Sequence, residues 1–317
     1  MVIAFFNFPA SEQNEIKWGV NFSPVQVEAL KLDGRTTYLA ILDDLRAKNI
    51  KLLTHWNKIG EERGSYDFSE VDWQIEQAQK YNAEIVYVLG MKTGRWPECH
   101  LPDWVKNLDK EEQQEELLRY IKEVVLRYKD SGTIIAWQVE NEPFFKFGSC
   151  PWYDGKFLRQ EIETVKSLDP ARPVIISDSG EQSLWIKAGA AGDIVGTTLY
   201  RKIWVHLVDG FGFYTSVPLP PVSYWLKGQL INKLFGKEVI NVELQAEPWS
   251  PKNLSDTSLK EQEKTMSLEK FRSNVSYAKR TGLKEFYFWG AEWWYWLKEK
   301  QDKPEIWEEA KKILQEY

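Results

Sequence analysis

Short runs of β-branched and aromatic residues alternate along the chain with longer stretches in which apolar residues recur every three or four positions. The first pattern predicts buried strands and the second amphipathic helices. Strands are expected at 17–21, 50–53, 84–89, 133–139, 173–177, 194–198, 238–242 and 285–289. Helices are expected at 37–48, 71–81, 110–129, 156–167, 182–188, 224–235, 259–280 and 305–315. The clearest is 110–129, where Leu117, Leu118, Tyr120, Ile121, Val124, Val125 and Tyr128 mark one face. This alternation, without a low-complexity linker, predicts an α/β fold: a single-domain (β/α)8 TIM barrel over 1–317. A doubly wound sheet shares the pattern, but the chain has no GxGxxG and no phosphate loop to give such a sheet a nucleotide site.

Two segments depart from the rhythm. Residues 1–14 read as an N-terminal extension whose apolar start, Met1 to Pro9, lacks a basic lead and a cleavage site. It is either a truncated anchor or a cap on the barrel bottom. Residues 200–237, after the sixth strand, form an apolar insertion with Phe211, Phe213, Tyr214 and the run Pro218–Pro221. A connection of that length in a barrel predicts a lid or cleft wall. A docking surface for another chain or a membrane is the alternative.

Composition narrows the function classes. The net charge of −6 comes from 41 basic and 47 acidic residues without a long run of either sign, which argues against nucleic acid as a partner. Three histidines and two cysteines, with no HxH or HExxH, argue against a metal site, and no cofactor motif is present. No stretch of 18 apolar residues offers a complete membrane span. The 16 tryptophans are the unusual feature, since their flat faces stack on sugar rings. Cys99 and Cys150 fall on loops expected to be neighbours, after the third and fourth strands, and are either bonded or free thiols.

The most informative segment is Trp137-Gln138-Val139-Glu140-Asn141-Glu142-Pro143. It is a buried strand delivering carboxylates to its carboxyl end, where proline stops the ladder, and in a barrel that end carries the chemistry. A second strand, Val239-Ile240-Asn241-Val242-Glu243, also ends in a glutamate. Asn141-Glu142-Pro143 resembles the acid/base motif of the clan A glycoside hydrolases, which are retaining (β/α)8 enzymes. The chain resembles the cellulase-type family 5 and, through 137–142, the family 42 β-galactosidases. The resemblance implies Glu142 as acid/base after the fourth strand and Glu243 as nucleophile after the seventh. It further implies Asn141 on the sugar 2-hydroxyl, Tyr200 as hydrogen-bond donor to the nucleophile, and Trp289 as the floor of the sugar site. Where the clan has a supporting arginine in the second strand, this chain has Lys51.

Other acids and aromatics cluster at the same strand ends. Glu140 is expected to point the same way as Glu142 and raise its pKa, and Glu247 competes with Glu243 for the nucleophile's place. His55, Trp56, Trp96, Trp152, Trp249 and Glu292, the last in Glu292-Trp293-Trp294-Tyr295-Trp296, are further candidates for sugar contact. The expected partner is an oligo- or polysaccharide and the expected state a monomer; compartment stays open. The function implied is retaining β-glycoside hydrolysis, first endo-acting on a β-1,4-linked glucan or mannan. The alternatives are an exo-acting β-galactosidase or β-glycosidase, a transglycosylase, and a non-catalytic carbohydrate-binding barrel.

Overall fold

The computed structural model describes residues 15–208, 211–250 and 252–315, so the expectation for residues 1–14 lies outside the described residues. Along the chain the strands are β1 (Lys17–Phe22), β2 (Asn49–Leu53), β3 (Glu84–Leu89), β4 (Ile134–Val139), β5 (Val174–Asp178), β6 (Ile194–Leu199), β7 (Lys202–Val208), β8 (Phe211–Ser216), β9 (Val239–Gln245) and β10 (Glu285–Trp289). All but β7 and β8 close a parallel barrel in the order β1-β2-β3-β4-β5-β6-β9-β10, and β10 pairs back with β1. Each strand expected from the sequence is a barrel strand, though the seventh, β9, runs on to Gln245.

Both faces of these strands are covered, which is why they read as continuous apolar runs. The outward residues, such as Ile85, Tyr87, Trp137 and Val139, pack against the surrounding helices. The inward residues Val86, Ala136, Ile175, Ile240, Val242 and Tyr287 fill the lower barrel as a separate cluster. Above it the lining turns polar, and Asn21 donates to the carbonyl oxygens of Val242 and Phe288 at 3.1 and 3.2 Å. The barrel is thus sealed below and chemically equipped above.

The helices follow the expected periodicity with corrected ends. Lys110–Tyr128 starts with a capping box in which Asp109 accepts from the Glu112 amide and Glu112 accepts from the Asp109 amide. The helix expected at 259–280 is two helices, Leu259–Gln262 and Leu268–Lys279, because Ser267 caps a fresh N-terminus by accepting from the Lys270 amide at 3.3 Å. Three helices were not expected: the short Pro24–Ala29 and Trp56–Ile59, and Ala291–Gln301, which takes up the tryptophan-rich segment after β10.

The 200–237 connection divides in two. Val222–Phe235 is the helix that returns the chain from β6 to β9, and Phe235 rests on Gly189 of the preceding helix. The true insertion is the antiparallel β7–β8 hairpin, rooted where Gln245 accepts from the Arg201 and Lys202 amides at 2.8 and 2.9 Å.

Candidate active site

Glu243 reaches the barrel mouth by a break in strand alternation. Ile240 and Val242 both point inward, so strict alternation would send Glu243 outward. The register of β9 slips by one residue against β6, pairing Thr197 with Asn241 but Thr198 with Glu243. Such a bulge re-aims a side chain, and here it turns Glu243 into the barrel. Two donors meet it there. The Lys51 ammonium lies 3.1 Å from Oε1, and the Tyr200 hydroxyl donates to Oε2 at 2.8 Å. Burial pulls Lys51 below the usual lysine range while the Glu243 charge opposes that shift. Lysine at this place supplies the charge the clan arginine would bring, through a single contact.

Glu142 follows β4 with a positive φ of 44°, a conformation that costs a non-glycine residue about 1 kcal/mol or more. It is enforced from both sides: Ser177 Oγ accepts from the Glu142 amide at 2.8 Å, and Lys92 Nζ donates to the Glu142 carbonyl at 3.1 Å. At the side chain, Thr198 donates to Oε1 at 3.1 Å. Burial first, and the facing Glu243 second, push the Glu142 carboxyl well above the ordinary glutamate value. A carboxyl group that holds its proton more tightly than usual therefore faces one held by a cation and a phenol.

Glu140 corrects an expectation. It does not share the orientation of Glu142, because its own φ of 59° ends strand alternation. Its carboxylate turns back to β3 and accepts from the Met91 and Lys92 amides at 2.7 and 2.6 Å. It pairs there with buried Glu161, and the charges that raise Glu142 come from Glu243, Glu98 and Glu181 rather than from Glu140.

Trp289 has the register expected of it. Phe288 faces outward onto Trp18 and Phe271, which leaves Trp289 facing the mouth with Leu53, Val88 and Tyr200 around it. The Arg95 guanidinium stacks on its ring at 4.1 Å. Arg95 is in turn paired with Glu247, which also accepts from Gln26 at 3.0 Å. Glu247 is thus committed to holding Arg95 against the Trp289 ring. Asn141 and Trp289 both lie against Gly94, where an added Cβ would stand 3.5 and 3.3 Å from them and where a φ of 82° favours glycine. Gln138 donates to Asn141 Oδ1 at 3.2 Å, so the Asn141 amide nitrogen is turned to the mouth.

Three further candidates are core residues. His55 has both ring nitrogens engaged, by Ser23 at 3.3 Å and Thr93 at 2.8 Å, and burial with neighbouring His100 pushes its pKa well below 6.5. Trp56 opens a helical turn that carries its ring outward, where it stacks on Tyr120 at 5.7 Å. Glu292 is fully buried at the start of helix Ala291–Gln301, accepting from the Ser23 amide at 2.6 Å. Its tryptophan neighbours Trp293, Trp294 and Trp296 are buried with it, because helical periodicity sends them into the core. Trp152 likewise packs on Phe157 and donates to Gln113.

The aromatic rim lies elsewhere. Trp96, 66% exposed, meets Phe147 at 6.3 Å; Phe147 meets Trp249 at 6.4 Å; Trp249 stands edge-on to Tyr200 at 5.1 Å. This line of rings runs from solvent to the partner of Glu243. Cys99 and Cys150 are joined in a disulfide that ties the Trp96 loop to the Phe147 loop.

Sequence reasoning missed Glu98, Glu181 and Lys92. Glu181 bridges the Tyr200 amide, at 2.7 Å, and the Tyr224 hydroxyl, at 3.0 Å, coupling helix Val222–Phe235 to the site. Lys92 donates to the Glu142 and Phe145 carbonyl oxygens. All three lie in loops without a periodic signal, so only the folded barrel brings them in. Among the described residues, no group of three or more His, Cys, Asp or Glu is arranged to hold a metal ion, and no helix is long and apolar enough to cross a membrane.

A closed barrel with glutamates at the ends of its fourth and seventh strands is the arrangement of the clan A glycoside hydrolases. The family model described as glycosyl hydrolase family 10 matches residues 25–314, and the chain belongs to that family. Endo-1,4-β-xylanase A of Phanerodontia chrysosporium is 27% identical over 252 residues, 73% of this chain and 56% of that protein. A probable mannan endo-1,4-β-mannosidase A of Aspergillus niger is 42% identical over 65 residues, 19% of this chain and 16% of that protein. The chain thus spans from about one-sixth to just over half the length of these curated relatives. Native xylanase 10B of Thermotoga maritima has the same fold, with TM-score 0.60 and 17% identity over 96% of this chain and 97% of that one. A β-galactosidase of Bacillus circulans sp. alkalophilus shares it at TM-score 0.57 and 14% identity, over 86% of this chain and 50% of that one.

Proposed function

We propose that this protein is an endo-acting, retaining β-1,4-glycanase in which Glu243 is the nucleophile and Glu142 the acid/base. The observation that carries the reading is the unlike setting of the two facing carboxyl groups. Lys51 and Tyr200 donate to Glu243, while burial and the Glu243 charge push the Glu142 carboxyl well above the ordinary glutamate range. Glu243 attacks the anomeric carbon as Glu142 gives its proton to the departing glycosidic oxygen, leaving a glycosyl ester on Glu243. Glu142, now ionised, takes a proton from water, which attacks the same carbon and releases the sugar with its configuration retained. Asn141 and Trp289 position the reacting ring. The mechanism calls on no metal or cofactor.

Xylan and mannan backbones are the first substrates to try, because relatives are named for endo-1,4-β-xylanase and endo-1,4-β-mannosidase activity. The line of rings from exposed Trp96 to Tyr200 favours an extended chain over a single terminal sugar. The test is release of reducing ends from β-1,4-linked xylan, mannan and glucan by the native protein and by Glu243→Ala, with and without azide. Native cleavage to mixed oligosaccharides, lost in the variant and restored by azide as an α-glycosyl azide, is the expected result. Retained activity in Glu243→Ala sinks the assignment, and release of monosaccharide alone sinks the endo reading.

A further inference from the structure

Glu98 is a buried carboxyl group that neither the fold nor the paired glutamates account for. It lies on the loop after β3, close enough for Lys92, Glu243 and Lys51 to act on its charge and for its own charge to act on Glu142. Asn141 stands within hydrogen-bonding reach of it. Geometry brings the two together: the Asn141 amide donates to the Lys92 carbonyl, and Lys92 is bridged to Cys99, so the loop that carries Glu98 is laid against Asn141.

A structural ion pair does not explain it. Among the described residues no cation bonds Glu98, since Lys51 is held by Glu243 at 3.1 Å and Lys92 by the Glu142 and Phe145 carbonyl oxygens at 3.1 and 3.0 Å. Yet the loop is built to place it. The Glu98 backbone has a φ of 76°, a left-handed conformation that a non-glycine residue keeps only where its surroundings enforce it. The Thr93 amide donates to the Glu98 carbonyl at 3.1 Å, and the Ser149 amide donates to the Pro97 carbonyl at 2.9 Å. The next residue, Cys99, is bonded to Cys150. Gly148 lies so close that a methyl group there would stand 2.4 Å from the Glu98 Cβ. A left-handed backbone, a disulfide and a glycine contact together fix one acid with no charged partner on the loop beside Asn141, and such a fixed acceptor is available to a ligand.

We propose that Glu98 touches the substrate, accepting a hydrogen bond from the hydroxyl at C2 of the reacting sugar while Asn141 donates to the oxygen of that hydroxyl. A hydroxyl both accepts and donates, so a neighbouring amide and carboxylate suit it from two sides. Asn141 can only donate there, because its own carbonyl oxygen is taken by Gln138. The arrangement selects sugars with a free hydrogen-bond donor at C2. The proposal rests on the glycosidase reading above and on the role given there to Asn141.

The test compares the aryl β-glycoside of the sugar that the native protein releases with its 2-deoxy analogue, for native protein, Glu98→Ala and Glu98→Gln. The higher intrinsic reactivity of the 2-deoxy sugar cancels when each variant is set against the native protein. On the parent glycoside, Glu98→Ala is expected to lower kcat/KM by about ten- to a hundredfold, the loss of one hydrogen bond to a charged group. On the 2-deoxy glycoside the loss is expected to be under about threefold. Glu98→Gln, which fills the same space and keeps the loop, is expected to fall between on the parent. Equal losses on both substrates overturn the proposal, because they mean that Glu98 acts only on structure or field; no loss on either overturns it too. Should Glu98→Ala fail to fold by its thermal melt, the same ratio is read from Glu98→Gln. A native protein that releases no sugar from any β-linked substrate defeats the glycosidase reading itself, and this proposal with it.

Discussion

β4 and β9 both end in a buried glutamate at the same barrel mouth, but the two carboxyl groups have opposite company. Glu243 receives a charged donor, Lys51, and a phenol, Tyr200. Glu142 receives one hydroxyl, from Thr198, while the nearby ammonium of Lys92 is directed to backbone carbonyl oxygens. Residue type is equal at the two places, so the division of labour is carried by the donors. Their arrival differs as well: a bulge turns Glu243 inward, whereas a left-handed backbone turns Glu142. In this barrel the strand supplies the position, and the break in the strand supplies the aim.

The strongest way to break the comparison is to remove each acid in turn. Both alanine variants are expected to lose about 10⁴-fold or more in kcat/KM on polysaccharide, where attack and leaving-group protonation are both needed. On a dinitrophenyl β-glycoside, whose leaving group departs without a proton, Glu142→Ala is expected to recover most of its glycosylation rate and Glu243→Ala none. Steady-state and burst kinetics on the two substrates make the check. The reverse pattern would exchange the roles.

The next test takes away the donors and leaves the acids. Lys51→Met and Tyr200→Phe each delete one bond to Glu243, and each is expected to cost about 10- to 100-fold in kcat/KM. Thr198→Val deletes the one hydroxyl on Glu142 and is expected to cost less, about tenfold or below, since a neutral hydrogen bond contributes less than a charged one. Equal losses for all three would remove the proposed asymmetry between the strand ends.

How much of this was legible in the sequence follows the same division. Strand identity was readable because a parallel strand covered on both faces must be apolar, so Glu84–Leu89 and Glu285–Trp289 stand out with correct ends. Glu142 and Glu243 stood out because each ends such a run. What alternation alone could not supply was direction. It sent Glu140 to the same side as Glu142, where a left-handed turn sends it to the Met91 and Lys92 amides. It left Glu243 aimed by a bulge that no residue type announces. The helix after β10 was not legible for a related reason: Ala291–Gln301 buries Trp293, Trp294 and Trp296, and five mostly aromatic residues in a row carry no polar half-turn to show it. Glu98 and Glu181 sit in loops, whose side chains are placed by tertiary contact and by a disulfide rather than by period.

The subtlest sharpening concerns protons. Burial and the Glu243 charge raise Glu142, and Glu98 adds to the rise, so the acid form survives above the ordinary carboxyl range. With Glu142 as the proposed acid, the alkaline fall in kcat/KM is expected to follow the loss of its proton. Glu98→Gln removes one negative charge, lowers the Glu142 pKa and is expected to move that fall to lower pH by less than about one unit. The same substitution has a stability signature of fixed sign. Glu98 itself is pushed by burial from 4.5 to about 7 in the folded chain. Between those values the native state binds more protons than the unfolded one, so the Glu98 contribution to stability is fully present below 4.5 and is lost as pH rises towards 7. Glutamine does not titrate. Subtracting the native Tm from that of Glu98→Gln should give a difference that grows between pH 4.5 and about 7 and then levels. A difference that is flat across that window would mean that Glu98 titrates as an ordinary exposed acid and does not share the closed setting of Glu142.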